Sequence, residues 1–238
     1  RLTGYKNYTN GFIYNTFHNK NNTNKDDEYF FRSKLIWDPN KNINIKLTLL
    51  NSFQDNGYDV WSPNNNRDTT YSNYLGDDQL RTNSLTLQSS YKLNNSTLVS
   101  ILTYSNNELN YNYDGDWTNY DFVDETNRKR ATLTHDLRFS KFLNKKSLTI
   151  GFYYKDLTES DIRKGFLFGG KADSVNNSFD IKLYSVYSNL NFNLSDNTQF
   201  NISARFNHTY NSYIGFGQFG NSPIDTLHTS LTSNMLGF

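Results

Sequence analysis

The side chains best suited to chemistry do not assemble into a reaction centre. His18, His135, His208 and His228 are scattered along the chain, with no His-x-x-x-His pair and no carboxylate cluster at metalloenzyme spacing. They read as solvated or as lining a water-filled interior. The many serines include no Gly-x-Ser-x-Gly nucleophile elbow. The absence of cysteine removes thiol catalysis, zinc-thiolate sites and disulfides together. No catalytic residue and no cofactor is therefore assigned, and the chain is not expected to be an enzyme.

Two other groups of residues could bind rather than react. Asp114, Asp116, Asp121, Asp124 and Glu125 concentrate hard oxygen ligands in one segment, with Asp114 and Asp116 as candidates for a Ca²⁺ site. Their spacing departs from an EF-hand loop, and the expectation is a solvated acidic loop with no metal. Tyr58, Trp61, Tyr71, Tyr74, Trp117 and Tyr120, with Phe122 beside them, place large aromatic faces among polar residues, which suits ligand capture. The competing reading is that these rings brace loops against one another. Asn-x-Ser/Thr triplets such as Asn207-His208-Thr209 are expected by chance in so Asn-rich a chain.

The elements that must position these residues are strands. Apolar residues make up 35% of the chain, below the roughly 45–50% of soluble domains, yet aromatics reach 16%. A disordered chain lacks such aromatic content, whereas a membrane β-barrel combines a polar lumen, an apolar outer face and aromatic girdles. The 24 basic and 23 acidic residues are interspersed, so no basic stripe points to nucleic acid. No apolar run approaches the roughly 20 residues of a membrane helix. Arg1-Leu2-Thr3-Gly4-Tyr5 carries neither an initiating methionine nor a signal peptide, and the expectation is a start inside a longer precursor.

Periodicity of two dominates. Tyr29, Phe31, Leu35 and Trp37 form one such set, then Ile43, Ile45, Leu47 and Leu49 opposite Asn44, Lys46 and Thr48. Leu85, Leu87, Tyr91 and Leu93 follow, then Leu133, Leu137 and Phe139, and Leu148, Ile150, Phe152 and Tyr154. Val186, Leu190, Phe192 and Leu194 precede Phe200, Ile202, Ala204 and Phe206. Leu98 to Tyr104 is apolar on both faces and Leu227 to Phe238 alternates poorly, giving about nine strands in all.

Connections alternate in length. Short ones fall at Asp38-Pro39-Asn40-Lys41-Asn42, Asn94-Asn95-Ser96, Leu143-Asn144-Lys145-Lys146 and Ser195-Asp196-Asn197, and long ones over about residues 54–80, 106–130, 157–178 and 211–225. Outer-membrane barrels sort loops this way, with short turns on the periplasmic side and long loops outside the cell. Pro39 falls in a tight turn and Pro63 and Pro223 in long loops, so no proline interrupts a strand. Trp37 suits an interfacial aromatic belt. The predicted class is an all-β, antiparallel, up-and-down transmembrane β-barrel, present in part, with residues 1–238 a single unit.

Specific segments carry a resemblance. Arg32-Ser33-Lys34-Leu35-Ile36-Trp37-Asp38-Pro39 resembles the RxKLxWxP strand and turn of TonB-dependent receptors, in particular the siderophore importers. Asn10-Gly11-Phe12-Ile13-Tyr14-Asn15 is similar to the family's DGFxxN segment, with Asn10 in place of aspartate. Asp55-Asn56-Gly57-Tyr58-Asp59-Val60-Trp61-Ser62 resembles its DNGYDxxS segment, and Ser100-Ile101-Leu102-Thr103-Tyr104-Ser105 its SITxYS strand. Tyr113-Asp114-Gly115-Asp116-Trp117 resembles the family's YDxDW loop. Thr134-His135-Asp136-Leu137-Arg138-Phe139-Ser140 is similar to SQELRLxS, with His135 and Asp136 at the usual Gln and Glu. The matches keep family order over about residues 8–155.

The resemblance implies a fragment of a receptor in the outer membrane of a Gram-negative bacterium, within a barrel of about 22 strands. It further implies an N-terminal plug with a TonB box, absent from this sequence, that couples import to the TonB energy-transducing complex. The expected cargo is a bulky nutrient, an iron–siderophore complex ahead of an oligosaccharide, and the expected surroundings are outer-membrane lipid, with no nucleic acid partner. Leu236-Gly237-Phe238 ends on an aromatic residue as outer-membrane barrels often do, but a stop within the barrel is the preferred expectation. Two other classes remain open: a passive porin-like or structural outer-membrane protein, and a soluble carbohydrate-binding β-protein whose apolar faces bury each other.

Overall fold

Alternating polar and apolar side chains fold here into one large antiparallel sheet. The structure is a computed structural model describing residues 1–57, 61–62, 64–167, 170–195 and 198–237. Tyr58, Asp59, Val60, Pro63, Asp196, Asn197 and Phe238, singled out in the sequence, lie outside the described residues.

Ten strands make up the sheet: β1 (Leu2–Thr9), β3 (Asp26–Asn40), β4 (Ile43–Gly57), β6 (Asp77–Leu93), β7 (Ser96–Asp114), β8 (Val123–Leu143), β9 (Lys146–Leu167), β10 (Gly170–Ser195), β11 (Thr198–Phe219) and β12 (Asp225–Gly237). Each pairs antiparallel with its sequence neighbour within the sheet, in an up-and-down order that leaves β1 and β12 as the edges. The two remaining strands, β2 (Tyr14–Asn15) and β5 (Thr69–Thr70), form a small parallel pair between two loops. Nine strands were expected. The tenth, β1, escaped because Leu2-Thr3-Gly4-Tyr5-Lys6-Asn7-Tyr8-Thr9 has too few apolar residues to show a period, and its place comes from pairing with β3.

The expected phasing holds. Leu35 pairs with Leu47, Leu47 with Leu87 and Leu87 with Leu102, so these side chains share one face, opposite Lys46, Thr48, Thr86 and Thr103. That face stays uncovered: Leu35, Leu49, Ile150, Val186 and Ile202 are each between 46% and 61% exposed. So extended an apolar surface on a soluble monomer would drive aggregation, whereas lipid is its natural solvent.

Register also reveals tilt. Beyond Leu102 the same row runs through His135, Tyr154, Tyr184 and His208, leaving the apolar belt towards the loop end. In a barrel with strands inclined about 35–45° to the membrane normal, a row drawn perpendicular to the strands must climb out of the belt. Tyr154 and Tyr184, with ring centroids 5.1 Å apart, stand at that boundary with Phe152 and Val186 on the belt side and Asp156 and Lys182 on the loop side. This is the position of an interfacial girdle. Because of the same tilt, His135 and His208 stand at the loop end of the apolar face, not in the water-filled interior that was one of the two places expected for them, the other being solvent; His135 bonds Ser100 Oγ at 2.9 Å and His208 bonds Asn234 Oδ1 at 2.7 Å.

The connections differ from expectation at one end. The turns after β6 and β8 are two residues long, and Pro39 sits within β3 at a register shift between Trp37 and Asn40, where a missing N–H is tolerated. The supposed long loops, by contrast, are mostly strand. Residues 157–178 belong almost entirely to β9 and β10, residues 106–130 leave only 115–122 as loop, and residues 211–225 leave only 220–224. Strands of 19 to 26 residues far exceed the roughly 9–11 needed to cross a bilayer. Their polar extensions are held by cross-strand ion pairs: Arg128 to Asp161 at 3.1 Å, Arg130 to Glu159, and Arg163 to Asp124 at 3.1 Å. The poor alternation of Leu227 to Phe238 has the same origin. β12 pairs with β11 from Arg205 to Gly217, largely beyond the apolar stretch Phe200–Phe206, and its Leu227, Leu231 and Met235 turn to the polar face.

Candidate functional site

Three loops meet above one end of the sheet. Residues 10–25 and the segment after β4 are joined by the β2–β5 pair, with Tyr14 N donating to Asp68 O at 2.9 Å and Thr16 N to Thr70 O at 2.9 Å. Asn15, fully buried, acts as the pin: its Nδ2 donates to Ser72 O at 2.8 Å and its Oδ1 accepts from the N–H groups of Phe17 and His18. An asparagine amide can satisfy donors and acceptors of two chain segments at once, which an apolar residue cannot.

The third loop, residues 115–122, is fastened by Asp114. This carboxylate accepts N–H bonds from Trp117 at 2.8 Å, Asp116 at 3.0 Å and Asn73 at 3.1 Å. It is 3% exposed, so the solvated acidic loop expected from the sequence is corrected here: Asp114 is a buried clasp between two loops. Burial pushes its carboxyl above the ordinary carboxylate range, against the opposing pull of the Trp117 and Asp116 N–H groups. Asn73 completes the junction, with Nδ2 donating to Tyr120 O at 3.1 Å and its own carbonyl bonded to His18 Nε2 at 2.7 Å. No group of three or more His, Asp or Glu residues that could hold a metal occurs among the described residues, and Asp114 has both oxygens engaged by N–H donors. Replacing Asp114 with Ala is expected to strand three N–H donors and loosen the junction by about 1–3 kcal/mol. Limited proteolysis of the intact protein should then cut within residues 58–76 or 115–122 while the strands remain resistant.

On this frame Trp61 and Trp117, distant in sequence, stack with centroids 5.6 Å apart and planes 23° from parallel. Trp117 adopts a positive φ of 57°, a conformation costly for a bulky residue and held here by the Asp114 clasp. Trp61 remains 51% exposed. Around the stack, Trp117 Nε1, Asp116 Oδ2 and Asn73 Oδ1 are buried and have no partner in the protein. Of the other rings expected to capture ligand, Tyr71 packs edge-on against Phe17 at 5.8 Å and is 46% exposed, and Tyr120 is 59% exposed. Tyr74 is only partly exposed, with burial, then Glu125 and Asp77, raising its hydroxyl pKa. Phe17 and His18, in ring contact at 5.0 Å, belong to the same surface but were not singled out for it. The signal available was the aromatic pair in an Asn-rich stretch; what hid it was the distance in sequence from the other loops.

Fold and site together define a wall of a large up-and-down transmembrane barrel with an ordered aromatic cluster at its loop end. No protein-family model matches the sequence, and no significant match was found among curated proteins. Among solved structures the chain is similar to the ferric yersiniabactin uptake receptor of Yersinia pestis, with TM-score 0.83 and 14% identity over 99% of this chain and 38% of that one. It is also similar to the ferric-catecholate import receptor of E. coli K12, with TM-score 0.70 and 10% identity to its closed form (99% of this chain, 42% of that one). For the open form the values are 0.68 and 11%, over 99% of this chain and 46% of that one. The chain thus has the barrel fold of TonB-dependent receptors and spans less than half the length of these structures.

Proposed function

We propose that this chain is part of the wall of an outer-membrane TonB-dependent receptor that imports a bulky nutrient, an iron–siderophore complex in the first instance. In this reading residues 1–238 are one barrel unit, and energy reaches it through a plug and the TonB complex. The ligand is captured at the loop cluster of Trp61, Trp117, Tyr71 and Tyr120. The observation that carries the reading is the stacked Trp61–Trp117 pair, held in a strained conformation at the loop end of a receptor-type barrel wall. A rigid aromatic face with Trp61 and Tyr120 more than half exposed is suited to seat an apolar ring, the Tyr120 hydroxyl supplying a polar contact.

Capture requires no covalent chemistry, in keeping with the receptors of similar fold. In the full-length receptor, Trp61→Ala or Trp117→Ala should weaken binding of the ferric complex by about 2 kcal/mol, roughly thirtyfold in Kd, with surface abundance unchanged. Unchanged affinity, or a loss of binding only in step with lost surface protein, would mean the rings merely brace the loops. Binding of an oligosaccharide instead of any ferric complex would move the cargo to the sugar class.

A further inference from the structure

The sequence contains two Asn-Gly pairs, Asn10-Gly11 and Asn56-Gly57, and the fold holds them differently. Glycine after asparagine leaves the side-chain amide open to attack by the next backbone nitrogen, because no Cβ shields that nitrogen. Asn56-Gly57 ends β4 inside the ladder with β6, where Asn56 pairs with Asp78 and Gly57 with Asp77. The Asn56 side chain is tied at both ends, its Oδ1 accepting from Asp27 N at 2.9 Å and its Nδ2 donating to Glu28 Oε1 at 3.0 Å. Gly57 N donates to Lys25 O at 2.9 Å. Bringing Gly57 N onto the Asn56 amide carbon therefore requires local opening of β4.

Asn10-Gly11 lies just past the end of β1, outside the sheet ladders, and Asn10 is exposed. Gly11 adopts a positive φ of 77°, and its N–H reaches Thr9 Oγ1 at 3.4 Å, the long limit of a hydrogen bond. The Tyr8 hydroxyl donates to Asn10 Oδ1 at 2.7 Å. A donor on that oxygen stabilises the negative charge that develops there when a nucleophile adds to Cγ. A loosely held nucleophile, an activated carbonyl and open solvent thus meet at one residue.

We propose that Asn10 is a site of spontaneous deamidation in the folded protein, and that Asn56 is protected from it. Gly11 N bonds to Asn10 Cγ while the Cγ–Nδ2 bond breaks, and the proton of the Gly11 amide leaves with Nδ2 as ammonia. Water then adds to either carbonyl of the resulting cyclic imide. Ring opening at Cγ leaves aspartate. Opening at the Asn10 backbone carbonyl leaves isoaspartate, with one more carbon in the main chain. The loop over residues 10–25 feels the change, because Asn24 Oδ1 accepts the N–H groups of Phe12 at 3.1 Å and Ile13 at 2.9 Å. Gly11 itself lies so close to Asn24 that a Cβ there would collide with it. A lengthened backbone one residue upstream shifts these donors off Asn24 and loosens the loop that β2 ties to β5. The inference holds whatever the cargo.

The test is ageing of the full-length protein, folded in detergent micelles, in heavy-oxygen water at mildly alkaline pH, followed by mass spectrometry of its peptides. The peptide holding Asn10 should exchange its amide nitrogen for one heavy oxygen at least about tenfold faster than the peptide holding Asn56. In denaturant the two rates should converge, since the fold alone separates them. Tyr8→Phe, which removes the donor and keeps the ring, should slow the folded reaction about threefold. Asn10→Gln, whose amide must close a larger ring, should stay unmodified. Protease should cut aged native protein within residues 11–25 faster than fresh protein, and aged Asn10→Gln no faster than fresh. Equal rates at Asn10 and Asn56 in the folded protein, or reaction at Asn10 only after unfolding, would overturn the proposal. An unchanged rate in Tyr8→Phe would overturn the role given to the hydroxyl, and unchanged cleavage on ageing would overturn the effect on the loop.

Discussion

Leu47→Arg is expected to abolish assembly of this barrel wall, whereas Thr48→Arg, one residue along the same strand, is expected to be tolerated. Leu47 pairs with Leu35 and Leu87 at the heart of the apolar face, so an arginine there would face lipid. The cost of a cation near the bilayer midplane is about 2–4 kcal/mol. Thr48 pairs with Lys34 and Thr86 on the opposite face, which already accepts cations. The amount of heat-modifiable, folded receptor in outer membranes is the measurement. Equal losses for the two variants would show that neither face meets lipid and would return the chain to the soluble β-protein class.

The second large effect is expected at Gly151. Alanine in a strand ordinarily gains about 0.5–1 kcal/mol over glycine by restricting the unfolded chain. At Gly151 the sign should reverse, because a Cβ would lie 2.1 Å from Cζ of Tyr187. The Tyr187 ring crosses β9 at this position to donate its hydroxyl to Asp136 Oδ1 at 2.8 Å, and it also supports Arg205. Displacing the ring would break both contacts, and overpacking of this kind costs about 1–3 kcal/mol. Gly217, on the same face with open space around its would-be Cβ, supplies the comparison. Denaturant unfolding should therefore show Gly151→Ala destabilised and Gly217→Ala neutral or stabilised. Adding Tyr187→Ala to Gly151→Ala should recover part of the loss, a non-additive result peculiar to a steric interlock. Equal behaviour of the two glycines would dismiss the interlock.

The legibility of the site in sequence was uneven for identifiable reasons. Trp61, Trp117, Tyr71 and Tyr120 stood out because large rings there sit amid polar residues and outside the alternating strand pattern. Nothing local shows that the first two stack or that Tyr71 meets Phe17 instead, since those contacts join residues from different loops. Asp114 drew attention for its charge, and a string of acids reads as solvated. Its burial depends on three N–H donors, one of them 41 residues away at Asn73.

Period-two alternation determined the strand character of this chain and which side chains share a face, because successive residues on an extended backbone must point in opposite directions. The identity of Ile43, Ile45, Leu47 and Leu49 as one apolar set follows from that geometry alone. Only the tertiary structure decided where each strand meets the membrane and where it outgrows it. Tilt carries the row of Leu47 and Leu102 out to Tyr184 and His208, and polar extensions become strands only because a partner strand supplies ladder hydrogen bonds and ion pairs. Neither the inclination of a sheet nor the identity of a cross-strand partner is written in a local period, and both arise when distant segments pair.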